Sequence, residues 1–206
     1  MASSSAPPPP PPTSTSDHII PETAIIVTDK CYVRPWEETD VEASAELCND
    51  PEIGRWMRNT FPHPYTLENA KSWVEIAVPK PGKPVHHFVI VSREDGGGAF
   101  AGAVGLKVRD DIQARNWELG YWVGRRYWGK GLATAAVGPF VRWAFRSHPD
   151  LLRLHAEVFE GNPGSEAVLR KVGFVKEGLL RQAVFKNGVV LDQSVYGLLR
   201  QDVESN

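Results

Sequence analysis

The stretch Arg126-Tyr127-Trp128-Gly129-Lys130-Gly131 joins a strand-like run, Trp117 to Val123, to a helix-like run, Leu132 to Phe145. Two glycines one residue apart let the main chain turn sharply and aim successive N–H groups at an anion, and the helix behind them adds the positive end of its dipole. Arg125, Arg126 and Lys130 bring positive charge to the same place. The segment predicts a phosphate-holding loop between strand and helix; a plain glycine-rich turn with solvated basic residues is the structural alternative.

Spacing counts against two familiar phosphate loops. Gly124, Gly129 and Lys130 reproduce the first part of a nucleoside-triphosphate loop, but Gly131 stands where a Ser or Thr hydroxyl would hold magnesium. A dinucleotide fingerprint would need a third glycine where Thr134 stands.

Working outward, the 206 residues, 42% of them apolar, with a formal charge of −2, describe an ordinary soluble enzyme domain with one core. The 23 basic and 25 acidic residues are scattered and form no basic stripe, so no nucleic-acid partner is expected. Cys31 and Cys48 provide neither a disulfide framework nor a metal quartet, which points to buried thiols in a reducing, cytoplasmic setting. The six histidines include one adjacent pair, His86 and His87, and no ligand spacing on one helical face, so no metal is expected.

Residues 1–17, with Pro7 to Pro12 unbroken, are too poor in apolar groups to offset the entropy of ordering and read as a disordered tail before a single domain over 18–206. The tail lacks the features of a secretory signal or transit peptide, and no apolar run reaches the length of a membrane span, so no membrane association is expected.

Within the domain, Ala24 to Trp36 reads as a strand and Asp40 to Cys48 as a helix capped by Asp40. A second helix runs from Thr66 to Val78 and stops at Pro79. Val85 to Ser92 and Ala99 to Arg109 are β-rich and joined by a glycine-rich hairpin loop, and Trp117 to Val123 follows as a strand. The helix after Gly131 sets Ala133, Ala136, Val137, Phe140, Val141 and Ala144 on one face, with Pro139 expected to kink it. Leu152 to Phe159 is a strand, and Pro163 to Lys171 a short helix closed by Gly173. Phe174 to Phe185 and Val189 to Leu199 are strands around a Lys186-Asn187-Gly188 hairpin turn. The order predicts an α+β fold with a mixed, mostly antiparallel sheet and one β-α-β crossover.

Taken together, these residues resemble the GNAT superfamily of acyl-CoA-dependent N-acyltransferases. Arg126, Gly129 and Gly131 fit its Arg/Gln-x-x-Gly-x-Gly/Ala signature, and Asn162, Ser165 and Gly173-Phe174 fit its second half. The branch is similar to the Rim-type, ribosomal-protein-alanine N-acetyltransferases, from Val33-Arg34-Pro35-Trp36 through Glu118-Leu119-Gly120-Tyr121-Trp122 to Asp192-Gln193-Ser194-Val195-Tyr196. The resemblance covers about residues 25 to 203. It implies a sheet splayed at its central strands and flanked by helices, acetyl-CoA as co-substrate, and a homodimer. The pantetheine would pair near Trp122 and Val123, the pyrophosphate would meet Arg126 to Gly131 with Gly129 and Lys130 between them, and Trp128, Leu132 and Ala133 would also touch the cofactor.

Thioester transfer to an amine needs reactants held in line and a preorganised donor at the carbonyl rather than a metal, and the Val123 N–H is the candidate donor. Asn162 would bond the pantetheine arm, with a plain helix cap before Pro163 as its other reading. The tyrosine that many GNAT enzymes carry seven residues after this asparagine is replaced by Leu169, and the resemblance assigns the acid role to Ser165. A carboxylate found in relatives is Val184 here, which leaves Glu118 as the candidate base and a sheet-edge ion pair as its alternative.

Weak base assistance favours an acceptor that is already neutral. An α-amine titrates at about 7.7 to 8.0 and a lysine at about 10.4, so the expected acceptor is a peptide or protein N-terminus, with a polyamine or other small amine as alternative. A non-catalytic acyl-CoA sensor and a small-molecule phosphotransferase are the other function classes the residues leave open. Trp56, Met57, Phe61, Pro64 and Tyr65 form either an acceptor wall or loop packing, while Trp73 and Trp143 are expected in the core.

Overall fold

The computed structural model describes residues 19–94 and 97–204. The tail expectation, residues 1–17, lies outside the described residues. A sheet of eight strands runs in the order β1-β2-β3-β4-β5-β6-β8-β7, and every neighbouring pair is antiparallel except β5 and β6. The strands are β1 (Ile26–Val27), β2 (Cys31–Pro35), β3 (His87–Ser92), β4 (Ala99–Lys107), β5 (Asn116–Val123), β6 (Arg153–Phe159), β7 (Val175–Lys186) and β8 (Val189–Leu199). The helices are α1 (Val41–Cys48), α2 (Pro51–Gly54), α3 (Leu67–Ala77), α4 (Leu132–Ser147), α5 (Pro163–Val172) and α6 (Arg200–Glu204). The expected mixed, mostly antiparallel α+β fold with a single parallel crossover, β5-α4-β6, is the one found.

Each face of the sheet buries one set of alternating side chains. Phe88, Ile90, Val104, Leu106, Leu119 and Leu154 form one core with Val137, Phe140, Val141 and Ala144 of α4 and Leu169 of α5. The opposite face sets Tyr32, Val89, Val91, Phe100 and Ala103 against Val74 and Ala77 of α3. Each large aliphatic or aromatic side chain so buried contributes about 1.5–3 kcal/mol. The crossover helix α4 thus backs one face of the splayed sheet, and α1 and α3 cover the other.

Two local expectations are corrected. The run from Ala24 to Trp36 is a hairpin of β1 and β2, because Thr28 turns the chain with its N–H and hydroxyl both donating to the Cys31 carbonyl, at 2.8 and 2.9 Å. Asp40 does not cap α1 with its side chain. Its carboxylate accepts two bonds from the Arg34 guanidinium, at 2.7 and 2.8 Å, and one from the Glu37 N–H at 2.8 Å. A buried bidentate arginine out-competes an N-terminal amide for the same oxygens. Thr66 does cap α3, in a reciprocal box with Asn69.

Candidate active site

β5 and β6 pair only over Asn116–Glu118 and Arg153–His155 and then diverge. Beyond that point β5 remains bonded to β4 and β6 to β8, so the notch between them is lined by main chain on one edge of each strand. The Gly124 amide donates to the Ala101 carbonyl on β4 at 2.8 Å, while the Arg115 carbonyl accepts bonds from the segment entering β6. Successive residues of a strand direct their main-chain groups to opposite edges, so Tyr121 and Val123 present theirs to the notch and Trp122 presents its own to β4. Of the two residues near which the pantetheine is expected to pair, Val123 turns its main chain to the notch and Trp122 turns its own to β4. The close approach of β4 and β5 here requires Gly102, where a Cβ would lie 2.2 Å from the Trp122 carbonyl oxygen.

A cleft of about 990 Å³ opens from this notch, bounded at one end by the loop before α4 and at the other by residues before α3. The loop begins with a single 3₁₀ turn at Arg125–Tyr127 and continues through Gly129 and Gly131, with φ of 73° and 79°, a left-handed conformation that glycine adopts without strain. Gly131 is the N-cap of α4 and supplies no side chain to the first turn. Among the described residues the amides of Gly129, Lys130 and Gly131 have no hydrogen-bond partner, and Gly129, Gly131, Leu132 and Ala133 line the cleft. Trp128, 41% exposed, also lines it and donates its indole N–H to the Val123 carbonyl at 2.9 Å.

The side chains of Arg126 and Lys130 do not line the cleft. Arg126 lies 4.9 Å over the Tyr127 ring, and Lys130 pairs with Glu94 at 3.4 Å. Trp128 apart, the loop therefore faces the cleft through its main chain. A cation the sequence reading did not single out, Lys30 in the β1–β2 turn, donates to the Lys130 carbonyl at 2.6 Å and braces the loop.

On the opposite wall, α5 begins with Asn162, whose Oδ1 accepts the Ser165 N–H at 3.1 Å. That is the helix-cap geometry, and Asn162 lines the cleft as well. Ser165 lines it too, with its Oγ 2.8 Å from the hydroxyl of Tyr121, which also donates to the Ser165 carbonyl at 3.1 Å. Burial pushes the Tyr121 phenol up to about 12, its bond to Ser165 offsetting part of that rise, so it stays protonated through the neutral range.

Glu118 sits in the cleft, but as an ion pair. Its Oε1 accepts from Arg58 at 2.5 Å, while its Oε2 is buried without a hydrogen bond, 4.0 Å from the Lys107 ammonium. The same Arg58 nitrogen reaches Glu157 at 3.0 Å, and Gln193 donates to that carboxylate at 2.9 Å. Burial disfavours the charged Arg58, yet the two carboxylates outweigh it and raise its pKa above the ordinary value. Trp56, Met57, Phe61 and Tyr65 wall this end of the cleft. Trp73, expected in the core, is 37% exposed and lines the cleft beside Trp36, its ring edge-on at 6.4 Å. Trp143 packs on Phe88 and Phe140 as expected.

Residues 30–175 match the family described as the acetyltransferase (GNAT) domain. The Bacillus subtilis protein named "Probable N-acetyltransferase YjcK" is 33% identical over 178 residues, covering 84% of this chain and 96% of its own. Among solved structures, a RimL ribosomal L7/L12 alpha-N-protein acetyltransferase in complex with coenzyme A superposes with a TM-score of 0.73 at 21% identity, over 85% of this chain and 97% of that one. The spermidine N-acetyltransferase from Vibrio cholerae in complex with CoA and spermine gives 0.70 at 21% identity, over 86% and 99%.

Proposed function

The chain belongs to the acetyltransferase (GNAT) family and is an N-acetyltransferase, and from that premise we propose that its acceptor is the α-amino group of a peptide or protein N-terminus. The observation that carries this reading is the pairing of Glu118 with Arg58 at 2.5 Å. A carboxylate already engaged by a guanidinium gives weak assistance in removing a proton. An α-amine, half neutral near pH 7.7 to 8.0, needs little, whereas a lysine near 10.4 needs much. The name of the RimL protein, an alpha-N-protein acetyltransferase, is consistent with that class.

The chain's own groups suit acetyl-CoA as co-substrate. The partner-free amides of Gly129 to Gly131 and the uncapped start of α4 offer donors and a positive dipole end to a diphosphate. Val123 turns its N–H into the notch, and in this reading that amide receives the charge developing on the thioester oxygen. The amine lone pair forms the new C–N bond as the C–S bond breaks, with the electron pair departing on sulfur. Ser165 hydrogen-bonds the leaving thiolate, and the proton shed by the amine passes to water held near Glu118. Asn162 keeps α5, and with it Ser165, in position.

A polyamine acceptor is the second reading, favoured by the two carboxylates, Glu118 and Glu157, that share Arg58 at one end of the cleft. A matched assay separates the two. Peptides with a free N-terminus, the same peptides N-blocked with one internal lysine, and spermidine are compared by thiol release from acetyl-CoA. Faster turnover of the ε-amine or of spermidine than of the α-amine overturns the proposal.

A further inference from the structure

Beside the acceptor end of the cleft, and sharing Phe61 and Pro62 with it, lies a second pocket of about 450 Å³. It forms between the tip of the β7–β8 hairpin and the segment after α2. Its charged and polar lining consists of Arg55, Asn59, His63, Lys186 and Asn187, and no acidic side chain lines it. Arg55 is exposed, stacks 4.9 Å over the Trp56 ring, and has its nearest carboxylate, Glu52, at 3.9 Å.

Lys186 is the unusual member. It is the last residue of β7, only 9% exposed, and its ammonium, which keeps contact with solvent, forms no ion pair or hydrogen bond among the described residues. Burial lowers the affinity of Lys186 for its proton. The turn beyond it, Asn187 at φ 51° and Gly188 at φ 81°, is the tight hairpin type, which fixes the direction in which Lys186 leaves the strand. A lysine whose stem is packed away and whose ammonium has no partner among the described residues, an arginine with one weak partner, a histidine and two amides thus meet in one concavity next to the acceptor cleft.

We propose that this pocket is an anion subsite that holds an acidic group, a carboxylate or a phosphate, carried by the acceptor a short distance beyond its reactive amine. The proposal rests on the peptide-acceptor reading above and deepens it to a class: N-termini followed by an acidic side chain or a phosphorylated one. Lys186 supplies an unpaired charge, Arg55 a second charge at the rim, and Asn59 a neutral donor. An acidic group there would be drawn toward Lys186 and would align the amine for attack; a neutral peptide would lack that anchor.

The test uses the full chain and peptide sets identical except for Asp, Asn or phosphoserine at positions two to four, with kcat/KM measured for each. The intact protein is expected to favour an acidic peptide over its Asn counterpart by about tenfold, the scale of one charged hydrogen bond. Lys186→Gln should reduce that preference to within about twofold while leaving affinity for coenzyme A unchanged, and the exposed Arg55→Gln should weaken it several-fold should Lys186→Gln not fold. The aspartate and phosphoserine arms separate the two sources of the anion. Equal rates for acidic and neutral peptides, or a preference that survives both substitutions, overturns the proposal. A second arm follows inorganic phosphate and N-acetylaspartate amide by chemical-shift titration of the backbone amides of Asn59, His63 and Asn187, which line the pocket in both the parent and the variant. Saturable binding lost in Lys186→Gln supports the subsite and its absence refutes it, even if no peptide proves to be an acceptor and the peptide reading itself falls.

Discussion

The Tyr121 hydroxyl lies 2.8 Å from Ser165 Oγ, joining the central strand β5 to the first turn of α5 across the cleft. The single phenol hydrogen has two acceptors in reach, the Ser165 carbonyl at 3.1 Å and Oγ at 2.8 Å; when it is given to Oγ the serine keeps its own hydrogen for a third partner, and burial holds the tyrosine protonated at neutral pH.

Removing either hydroxyl should therefore act on turnover rather than on binding. Ser165→Ala is expected to lower kcat by about 10² and Tyr121→Phe by about tenfold, with the affinity for coenzyme A within about twofold in both. The double variant should lose no more than Ser165→Ala alone. Parent rates in Ser165→Ala would remove the serine from the chemistry.

Gly129 and Gly102 separate conformation from space. A Cβ on Gly129 meets nothing within 4 Å, so Gly129→Ala should fold normally and weaken coenzyme A binding by about tenfold through its left-handed φ alone. Gly102→Ala drives a Cβ into the Trp122 carbonyl and should lower the melting temperature markedly. Calorimetry and thermal denaturation distinguish the two outcomes.

Acid should destabilise the fold through histidines that are half-buried or buried. Burial lowers the pKa of His86 and of His148, and each reinforces the cage around Trp117, His86 at 5.5 Å and His148 at 4.6 Å between ring centres. With folded values below the unfolded value of about 6.5, the unfolded chain binds more protons as the pH falls past that point, so stability rises with pH through this window and is lost below it. His87 and His155 shift in the same direction. Melting temperatures measured from pH 7.5 to 5 should fall, and His148→Phe should flatten the slope.

Cys48 is 2% exposed, and burial pushes its thiol well above the ordinary range. Its reaction with a thiol-specific reagent near pH 8 should be slow in the folded protein and complete on denaturation. Rapid labelling under native conditions would show that the segment around α1 opens readily.

Local chemistry made much of this legible in advance. The glycine pair before α4, the Asn162 cap and Gly173 stop of α5, and the Lys186-Asn187-Gly188 turn each act within a few residues, where propensity and dihedral preference dominate. What escaped depends on distant partners. Asp40 was expected to cap a helix, but Arg34, brought beside it by the chain's path out of β2, claims its oxygens. Arg58 meets carboxylates 60 and 99 residues away, and Tyr121 meets Ser165 across 44 residues, separations that leave no periodic trace. The insertion of β8 between β6 and β7 is equally nonlocal, although the hairpin that permits it was plain. The charge of Arg126 and Lys130 is easy to read in a sequence, whereas the direction of each side chain is set by neighbours such as Tyr127 and Glu94.

The divergence of β5 and β6 after three paired residues gives the molecule a border in its own interior. Strands at the rim of a sheet are ordinarily shortened, charged or covered because their open amides recruit foreign chains. Here that recruiting capacity sits mid-sheet, sheltered by α4 and α5 from other proteins yet open to something slender. The architecture thereby turns an aggregation hazard into selectivity by girth, admitting a thread and refusing a second sheet.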